Sequence, residues 1–223
     1  MSDSYAVVRA GEADAGVLSQ VIAEAFFDLP ASHWLIADPD ARAKVYPPYF
    51  RIYVEHALAA GEVYTTQDRA AVALWLSVAD QPPDPPPGYL ERLAAVTGPW
   101  LDRFLAFDEA LERRHPPGPP HQHLALIAVH PDRQGAGIGT AMLAAHHALL
   151  DEKGTPAYLE AASPRTRDIY LRVGYNDLGP PIEFPDGPAM YPMWRPPAPG
   201  PAPGPAPAPD PTTRVRGPSA VSR

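Results

Sequence analysis

Apolar residues near the middle of the chain change their spacing twice within a short distance. Leu124–Val129 is a continuous apolar run typical of a buried strand, and Pro131 ends it because proline has no N–H for a sheet ladder. From Ile138 onwards, apolar residues recur at helical spacing until Gly154 interrupts them. The pattern therefore predicts a strand, a glycine-rich turn and a helix in direct succession.

Short apolar runs and helical stripes alternate along most of the remaining chain. Before the glycine-rich turn they predict a strand at Tyr5–Arg9, a helix over Asp14–Phe27 and a loop over 28–38. They then predict a helix over Asp40–Ala60, which Pro47 and Pro48 split or kink. A hairpin of Glu62–Thr66 and Ala70–Leu76 and a broken helix between Tyr89 and His115 are predicted next. After the turn they predict a strand at Ala157–Glu160, a short helix capped by Ser163 and closed by Gly174, and a hairpin of Pro181–Phe184 and Ala189–Trp194. This order predicts an α/β fold in which helices flank a mixed central sheet.

Composition separates the end of the chain from the rest. Residues 196–223 are largely proline, alanine and glycine, which cannot bury a core, so we expect one domain at 1–195 and a disordered tail at 196–223. The chain has a net charge of −8, and because the tail is basic the domain alone is more acidic still. An acidic domain is a poor binder of nucleic acid and suits a cationic amine.

Two absences narrow the range of functions. The chain contains no cysteine, which excludes disulfides, thiolate catalysis and cysteine-ligated zinc. It contains neither a signal-peptide pattern nor an apolar run of about 18 residues, the length that would suggest a membrane span. We therefore expect a cytoplasmic protein without a membrane partner, acting as a monomer or a homodimer.

The glycine-rich turn is suited to binding an anion. The N–H groups of a first helical turn have no partners within the helix and carry the positive end of its dipole. Gly135, Gly137 and Gly139 would let a phosphate approach them closely. A Walker loop is excluded because Thr140 follows Gly139 without an intervening lysine, and the glycine spacing does not fit a dinucleotide fingerprint.

The spacing Gln134-x-x-Gly137-x-Gly139 resembles the acetyl-CoA pyrophosphate loop of the GCN5-related N-acetyltransferase (GNAT) family. The segment from Tyr170 to Tyr175 is similar to a second motif of that family, with Tyr175 in place of the usual phenylalanine. The order of elements extends the resemblance over nearly all of 1–195, and within the family it is nearest to puromycin N-acetyltransferase and related enzymes. The resemblance implies the GNAT fold, in which the fourth and fifth strands splay apart and admit acetyl-CoA as cosubstrate.

The same resemblance implies roles for individual residues. The main-chain N–H of Val129 would stabilise the oxyanion, the pantetheine arm would pair with the backbone around Ile127, and Tyr170 would protonate the leaving thiolate. For Tyr170, the alternative is that its ring merely packs. The predicted cofactor-binding residues are Ile127, Ala128, Val129, Gln134, Gly135, Ala136, Gly137, Ile138, Gly139, Thr140 and Ser163.

The sequence leaves two candidates for the catalytic base. An alkylammonium group with a pKa near ~10 must lose a proton before it can attack the thioester. His123 falls where histone acetyltransferases of the family place a glutamate, and strand alternation predicts its side chain on the same face as Ala125 and Ile127. It could equally be a partly exposed histidine at a strand end. Glu160 on the neighbouring strand is the second candidate.

A metal is not expected. His121 and His123 are spaced like a pair of ligands, but the sequence places no third ligand beside them.

The acceptor pocket is predicted among aromatic residues that precede the cofactor half. Trp34, Tyr49 and Tyr53 are the candidates, although aromatic residues at helical spacing can also be core. The predicted function is acetyl-CoA-dependent N-acetylation of a primary amine on a small molecule, an antibiotic or aminonucleoside-like metabolite, by direct transfer in a ternary complex. An antibiotic acceptor would imply antibiotic resistance. The alternatives are a protein N-acetyltransferase, a non-catalytic acetyl-CoA sensor, and a scaffold that acts through the tail.

Overall fold

A computed structural model describes residues 6–79 and 85–198. In these ranges the strands are β1 (Val7–Arg9), β2 (Glu62–Thr66), β3 (Ala71–Val78), β4 (His121–Val129), β5 (Ala157–Ala161), β6 (Asn176–Asp177), β7 (Ile182–Glu183) and β8 (Ala189–Arg195). The α-helices are α1 (Ala15–Phe26), α2 (Pro30–Leu35), α3 (Pro39–Ala60), α4 (Tyr89–Thr97), α5 (Leu101–Glu112), α6 (Ile138–Lys153) and α7 (Pro164–Arg172). The prediction of an α/β fold is confirmed.

The strands form a mixed sheet in the order β1-β2-β3-β4-β5-β8-β6, and β7 also pairs with β8. Neighbouring strands are antiparallel, except that β4 and β5 run parallel and are connected through α6. A parallel pair needs a crossover connection, which explains why the glycine-rich turn and α6 follow β4 directly.

Helices cover both faces of the sheet. On one face, α1 and α3 pack against β3 through a core that includes Leu18, Phe50 and Leu74. On the other face, α6 packs against β5 through a second core that includes Leu143 and Leu159. The amphipathic patterns of α1 and α6 are therefore each buried against the sheet.

Two features of the region before β2 differ from the prediction. The predicted loop at 28–38 contains α2, which begins with Pro30 at its first helical position, where the missing N–H costs no hydrogen bond and the fixed φ favours the helix. The helix predicted at Asp40–Ala60 is not split, since α3 runs continuously through Pro47 and Pro48; the alternative of a kink stays a prediction. Burial of flanking aromatic residues such as Tyr46 and Phe50 outweighs the lost main-chain hydrogen bonds.

The chain beyond β8 can be followed for three residues, and the rest of the predicted tail lies outside the described residues. Asp151 of α6 binds the end of β8 through a 2.7 Å contact with Arg195, and it also accepts a hydrogen bond of 2.8 Å from the N–H of Ala198. Residues 1–5, which include the start of the predicted first strand, are likewise outside the described part. None of the described helices has the length and apolar character needed to cross a membrane.

Candidate active site

The two parallel strands at the centre of the sheet separate soon after they meet. Only Gln122 with Ala157 and His123 with Tyr158 are paired between β4 and β5. Beyond these pairs, β4 stays paired with β3 as far as Val129, whereas β5 stays paired with β8. A gap therefore opens between β4 and β5, and the predicted splay of the two central strands is confirmed.

The main chain of β4 faces this gap at alternate residues. The N–H of His130 donates to the carbonyl of Ala70 at 2.8 Å, which identifies this pair as hydrogen-bonded. Because hydrogen-bonded and non-hydrogen-bonded pairs alternate in an antiparallel ladder, Ala128 is also bonded to β3, while Ile127 and Val129 direct their N–H and C=O groups away from β3. Ile127 and Val129 thus present main-chain groups to the gap, and Ala128 does not.

The glycine-rich turn lies where β4 ends. Gly135 and Gly137 both have a φ of +79°, a conformation that glycine adopts without strain. Gly137 is the residue that caps α6, and since it has no side chain it leaves the first N–H groups of the helix without a side-chain cap. Gln134 donates from its side chain to the carbonyl of Val129 at 3.0 Å, which fixes the turn to the end of the strand. The turn therefore combines free N–H groups with a helix dipole at the end of β4, an arrangement suited to pyrophosphate.

The predicted capping role of Ser163 is confirmed at the start of α7. Its hydroxyl accepts a hydrogen bond from the N–H of Thr166 at 3.2 Å, and the hydroxyl oxygen of Thr166 accepts one from the N–H of Ser163 at 3.0 Å. The side chain of Ser163 is thus already used within the helix, and its predicted contact with the cofactor stays a prediction.

Tyr170 lies on the α6 side of the sheet. Its ring packs against the same core cluster as Ile127 and Val129, and its centroid is 5.6 Å from that of Tyr175. Its carbonyl accepts hydrogen bonds from the N–H groups of Val173 and Tyr175, which close α7. Burial raises the pKa of the Tyr170 hydroxyl above its ordinary value, so the group is protonated at neutral pH.

His123 and Glu160 come together at the point where β4 and β5 part. His123 Nε2 is 3.1 Å from Glu160 Oε2, and the two side chains are only 16% and 7% exposed. Burial would raise the pKa of Glu160, but the neighbouring His123 more than offsets this and holds it below the ordinary value. The two residues that the sequence offered as alternative bases are therefore a hydrogen-bonded pair.

One prediction about the faces of β4 is wrong. Trp75 of β3 pairs with Leu124 and the preceding Leu74 pairs with Leu126, so Ala125 forms a bulge without a partner. Because of this extra residue, Ile127 packs on the α6 side, on the same face as Leu124. His123 is adjacent to Leu124 and points to the opposite face, so it shares a face with Ala125 but not with Ile127. Tyr170 and the His123–Glu160 pair consequently approach the gap from opposite faces.

A third histidine lies beside this pair, and no motif or spacing in the sequence predicts its position. His115 follows α5, and its ring centroid is 5.0 Å from that of His123. Its Nε2 is 3.1 Å from Nε2 of His121, whose Nδ1 is 2.8 Å from the carbonyl oxygen of Pro119. Burial is the main cause that lowers the pKa of His115 to about 4. The third potential metal ligand that the spacing could not supply is therefore present, because the end of α5 folds back beside β4.

The predicted acceptor residues lie on the side of the sheet that α3 covers. Tyr49 is only 5% exposed and its ring is 4.7 Å from that of Phe104, so it belongs to the core. Trp34 is half-buried and donates from its indole N–H to the carbonyl of Pro185 at 3.0 Å. The hydroxyl of Tyr53 is 2.6 Å from that of Tyr89. The hydroxyl of Tyr49 donates to that of Tyr53 at 3.3 Å, whereas Trp34 packs against Phe184, with ring centroids 5.2 Å apart. The predicted contact of these side chains with the acceptor stays a prediction.

An acidic cavity lies next to Tyr89, between residues 85–91 and α5. Its volume is about 780 Å³, and its lining includes Asp108, Glu109 and Glu112. Burial raises the pKa of Asp108 to about 6, and Tyr89 donates a hydrogen bond to its carboxylate. The lining of the cavity extends along α5 to Glu112 at its carboxyl end, and His115 follows three residues later. It is a candidate acceptor region, formed where folding brings residues 85–88 and α5 together.

Comparison with known proteins identifies the class. Residues 113–194 match the family model described as "Acetyltransferase (GNAT) domain". A solved structure described as histone acetyltransferase HPA2 and related acetyltransferase from Corynebacterium glutamicum is 27% identical, with a TM-score of 0.66, and the match covers 87% of this chain and 97% of that one.

Two further solved structures share the fold at lower identity. Arylalkylamine N-acetyltransferase 2 from Aedes aegypti is 12% identical with a TM-score of 0.57, and the match covers 86% of this chain and 98% of that one. A GCN5-related N-acetyltransferase from Rhodopseudomonas palustris is 14% identical with a TM-score of 0.53, with 86% of this chain and 94% of that one covered. At these identities the similarity shows the fold alone.

The chain has the GNAT fold, and its residues 113–194 are similar to the model of the GNAT acetyltransferase domain. It is an acyltransferase, which agrees with the divergence of β4 and β5 and with the glycine-rich turn between β4 and α6. The comparisons support the GNAT family and give no support for the subgroup that resembles puromycin N-acetyltransferase.

The glycine-rich turn can be tested at Gly137. We expect Gly137→Glu to weaken acetyl-CoA binding at least about 100-fold, or about 2.7 kcal/mol, because a carboxylate at the capping position repels the pyrophosphate. Calorimetric titration with acetyl-CoA measures the change. Gly154→Glu is the matched control, because Gly154 also has a positive φ and open space around it but caps the opposite end of α6.

Both substitutions strain the backbone in the same way, so the control should lose stability yet keep its affinity for acetyl-CoA. Equal affinities in the two folded variants would show that the turn is not the pyrophosphate site.

Proposed function

We propose that this chain transfers the acetyl group of acetyl-CoA directly to a primary amine of a small molecule, in a ternary complex. The observation that carries the proposal is the gap between β4 and β5. Main-chain groups of Ile127 and Val129 face it, the His123–Glu160 pair lies on one face of the sheet, and Tyr170 lies on the other. Donors, base and acid therefore surround one opening from three directions.

Acetyl-CoA fits the groups that this opening presents. The amides of its pantetheine arm can pair with the N–H and C=O of Ile127 as an added strand would, because β5 leaves that edge of β4 unpaired. Its pyrophosphate can accept hydrogen bonds from the first turn of α6, beginning at Ile138, where Gly137 leaves the main chain uncapped. The cosubstrate supplies an acetyl thioester, and the chain's residues orient it and move protons.

The His123–Glu160 pair supports the role of His123 as the base. The carboxylate of Glu160 accepts a hydrogen bond from His123 Nε2–H, so neutral His123 keeps the lone pair of Nδ1. That nitrogen takes a proton from the substrate ammonium, and the free amine attacks the thioester carbonyl. Glu160 acts as a positioning residue, since it orients the imidazole and stabilises its charged form.

The remaining steps use Val129 and Tyr170. The N–H of Val129 donates to the oxyanion as the carbonyl carbon becomes tetrahedral. The carbon–sulfur bond then breaks, and the thiolate takes the proton of the Tyr170 hydroxyl. The amine nitrogen releases its second proton to solvent, from which Tyr170 is protonated again, so that one ammonium and one thioester give one amide, one thiol and one proton.

Charge around the cavity supports a small cationic acceptor. Asp108, Glu109 and Glu112 line it, and α5 runs from there towards His115 and His123. Carboxylates in a partly buried cavity raise the local concentration of an ammonium ion and orient it. An antibiotic or an aminonucleoside-like metabolite with a primary amine would meet these requirements.

A protein acceptor is the second candidate. The Corynebacterium glutamicum structure carries the description of a histone acetyltransferase and is 27% identical over most of both chains. An extended peptide with lysine would carry the same ammonium group to His123.

Thiol release from acetyl-CoA distinguishes these acceptors. Purified full-length chain is assayed with puromycin, arylalkylamines, aminoglycosides, polyamines and lysine-containing peptides, and we expect release with at least one small amine. Release with peptides alone would favour the protein acceptor. Absence of release with every amine, despite saturable acetyl-CoA binding, would contradict transfer and favour a sensor.

The role of His123 can be tested by chemical rescue. We expect His123→Gly to lower kcat by about 10²–10⁴ while the KM for acetyl-CoA changes little, because the base acts on the amine and not on cofactor binding. Added imidazole should restore part of kcat, as it can occupy the space left by the side chain.

Tyr170→Phe is the matched control for this rescue. It should also be slow, but imidazole should leave its rate unchanged because the missing group is an acid on the opposite face of the sheet. A His123→Gly variant with the full rate would exclude His123 as the base, and slow transfer without any rescue would assign it a structural role.

A further inference from the structure

Three side chains beside the gap form a potential metal site. His115 comes from the segment after α5, His123 from β4 and Glu160 from β5, and one ligand atom of each lies within 4.8 Å of the others. In the part of the chain that the structure describes, no other group of three histidine or acidic residues meets this criterion. The group is also well shielded, since all three residues are partly buried.

The donor set suits a divalent transition metal with the preferences of zinc. Two imidazole nitrogens and one carboxylate oxygen are a common set of three protein ligands for Zn²⁺, with water in the fourth position. Tetrahedral coordination with bonds of about 2.0–2.1 Å places ligand atoms roughly 3.3 Å apart. The ligand atoms therefore need to approach one another by at most about 1.5 Å, and His123 Nε2 and Glu160 Oε2 are already 3.1 Å apart.

Hydrogen bonding around His115 leaves one of its nitrogens free to bind a metal. The carbonyl oxygen of Pro119 can only accept, so Nδ1 of His121 carries a proton and its Nε2 is the acceptor. Nε2–H of His115 consequently donates to His121, and Nδ1 of His115 retains its lone pair. Metal-binding histidines commonly have a hydrogen-bond partner that orients the ring, and His121 is that partner for His115.

An unsatisfied hydroxyl in the same place provides an independent observation. Tyr158 is fully buried, and its hydroxyl lies beside the Glu160 carboxylate without a hydrogen bond of normal geometry. Its ring centroid is 4.7 Å from that of His115 and 5.4 Å from that of His123. A buried hydroxyl without a partner is costly, and a water bound to the metal would satisfy it.

We infer that one zinc-like ion binds to His115, His123 and Glu160 and thereby inhibits acetyl transfer. The ion takes the place of the hydrogen bond between His123 and Glu160: the proton on His123 Nε2 moves to Nδ1, and Nε2 and the Glu160 carboxylate bind the ion. Nδ1 then has no lone pair left for the substrate proton. The inhibitory part rests on the proposed role of His123 as the base, whereas the binding part rests on the geometry alone. Metal and substrate proton thus compete for the same imidazole.

Calorimetric titration of the untagged full-length chain with Zn²⁺ tests the binding part. In buffer freed of other metals we expect one ion per chain, and His115→Gln should weaken binding at least about tenfold. Glu160→Gln serves as a second variant of almost unchanged shape, in case His115→Gln does not fold. His33→Gln is the matched control and should bind as the wild type does, because His33 lies half-exposed on α2 and outside the group.

Thiol release with and without Zn²⁺ tests the inhibitory part. Measured against its own zinc-free rate, His115→Gln should resist a zinc concentration that halves the wild-type rate. Absence of stoichiometric zinc binding to the wild type, unchanged binding by His115→Gln, or loss of binding by His33→Gln would overturn the site. If no amine is acetylated but zinc binds as described, the proposed function fails and the metal site stands.

Discussion

The parting of β4 and β5 after two residue pairs is the constraint on which the rest of this structure depends. β4 remains bound to β3 and β5 to β8, so neither strand can follow the other. A main-chain edge at the centre of the sheet is left unpaired, which is costly unless a ligand or water satisfies its hydrogen-bonding groups. In the proposed function, acetyl-CoA supplies that partner, and the gap is a strand position kept open for a cosubstrate.

The separation of β4 and β5 also fixes the positions of the proposed catalytic side chains. His123 belongs to the last pair before the strands separate, and Glu160 lies two residues after its partner Tyr158, so the pair sits at the apex of the gap. The bulge at Ala125 turns Ile127 towards α6, on the face where Tyr170 packs. His123 and Tyr170, the proposed base and acid, are therefore held on opposite faces of one sheet, and in the proposed function the thioester carbonyl lies between them.

Periodicity and capping signals were sufficient to predict the elements that build this site. Helix α6 begins at Ile138 and ends before Gly154 as predicted. Both ends are set by the local sequence, because Gly137 and Gly154 each adopt a left-handed conformation that favours glycine. Local preference does not predict helix α2 and allows a split at Pro47 and Pro48 that α3 does not have, because burial against the sheet outweighs local preference there.

Prediction of the site was limited by long-range contacts. His123 and Glu160 were identified singly from the resemblance, but their hydrogen bond depends on the register of two strands separated by α6. His115 could not be found, because its position beside His123 is set by the path of the chain from α5 to β4. The bulge at Ala125 likewise has no counterpart in the spacing of apolar residues.

Amide hydrogen exchange in the presence and absence of CoA, resolved to single residues of β4, tests the central claim most directly. The N–H groups of Ile127 and Val129 face the gap, whereas that of Ala128 is already bonded to β3. We therefore expect CoA to slow exchange at Ile127, where the pantetheine arm pairs, and at the first turn of α6, while Ala128 changes little. Saturable CoA binding without protection at Ile127 would show that the gap between β4 and β5 is not where the cosubstrate binds.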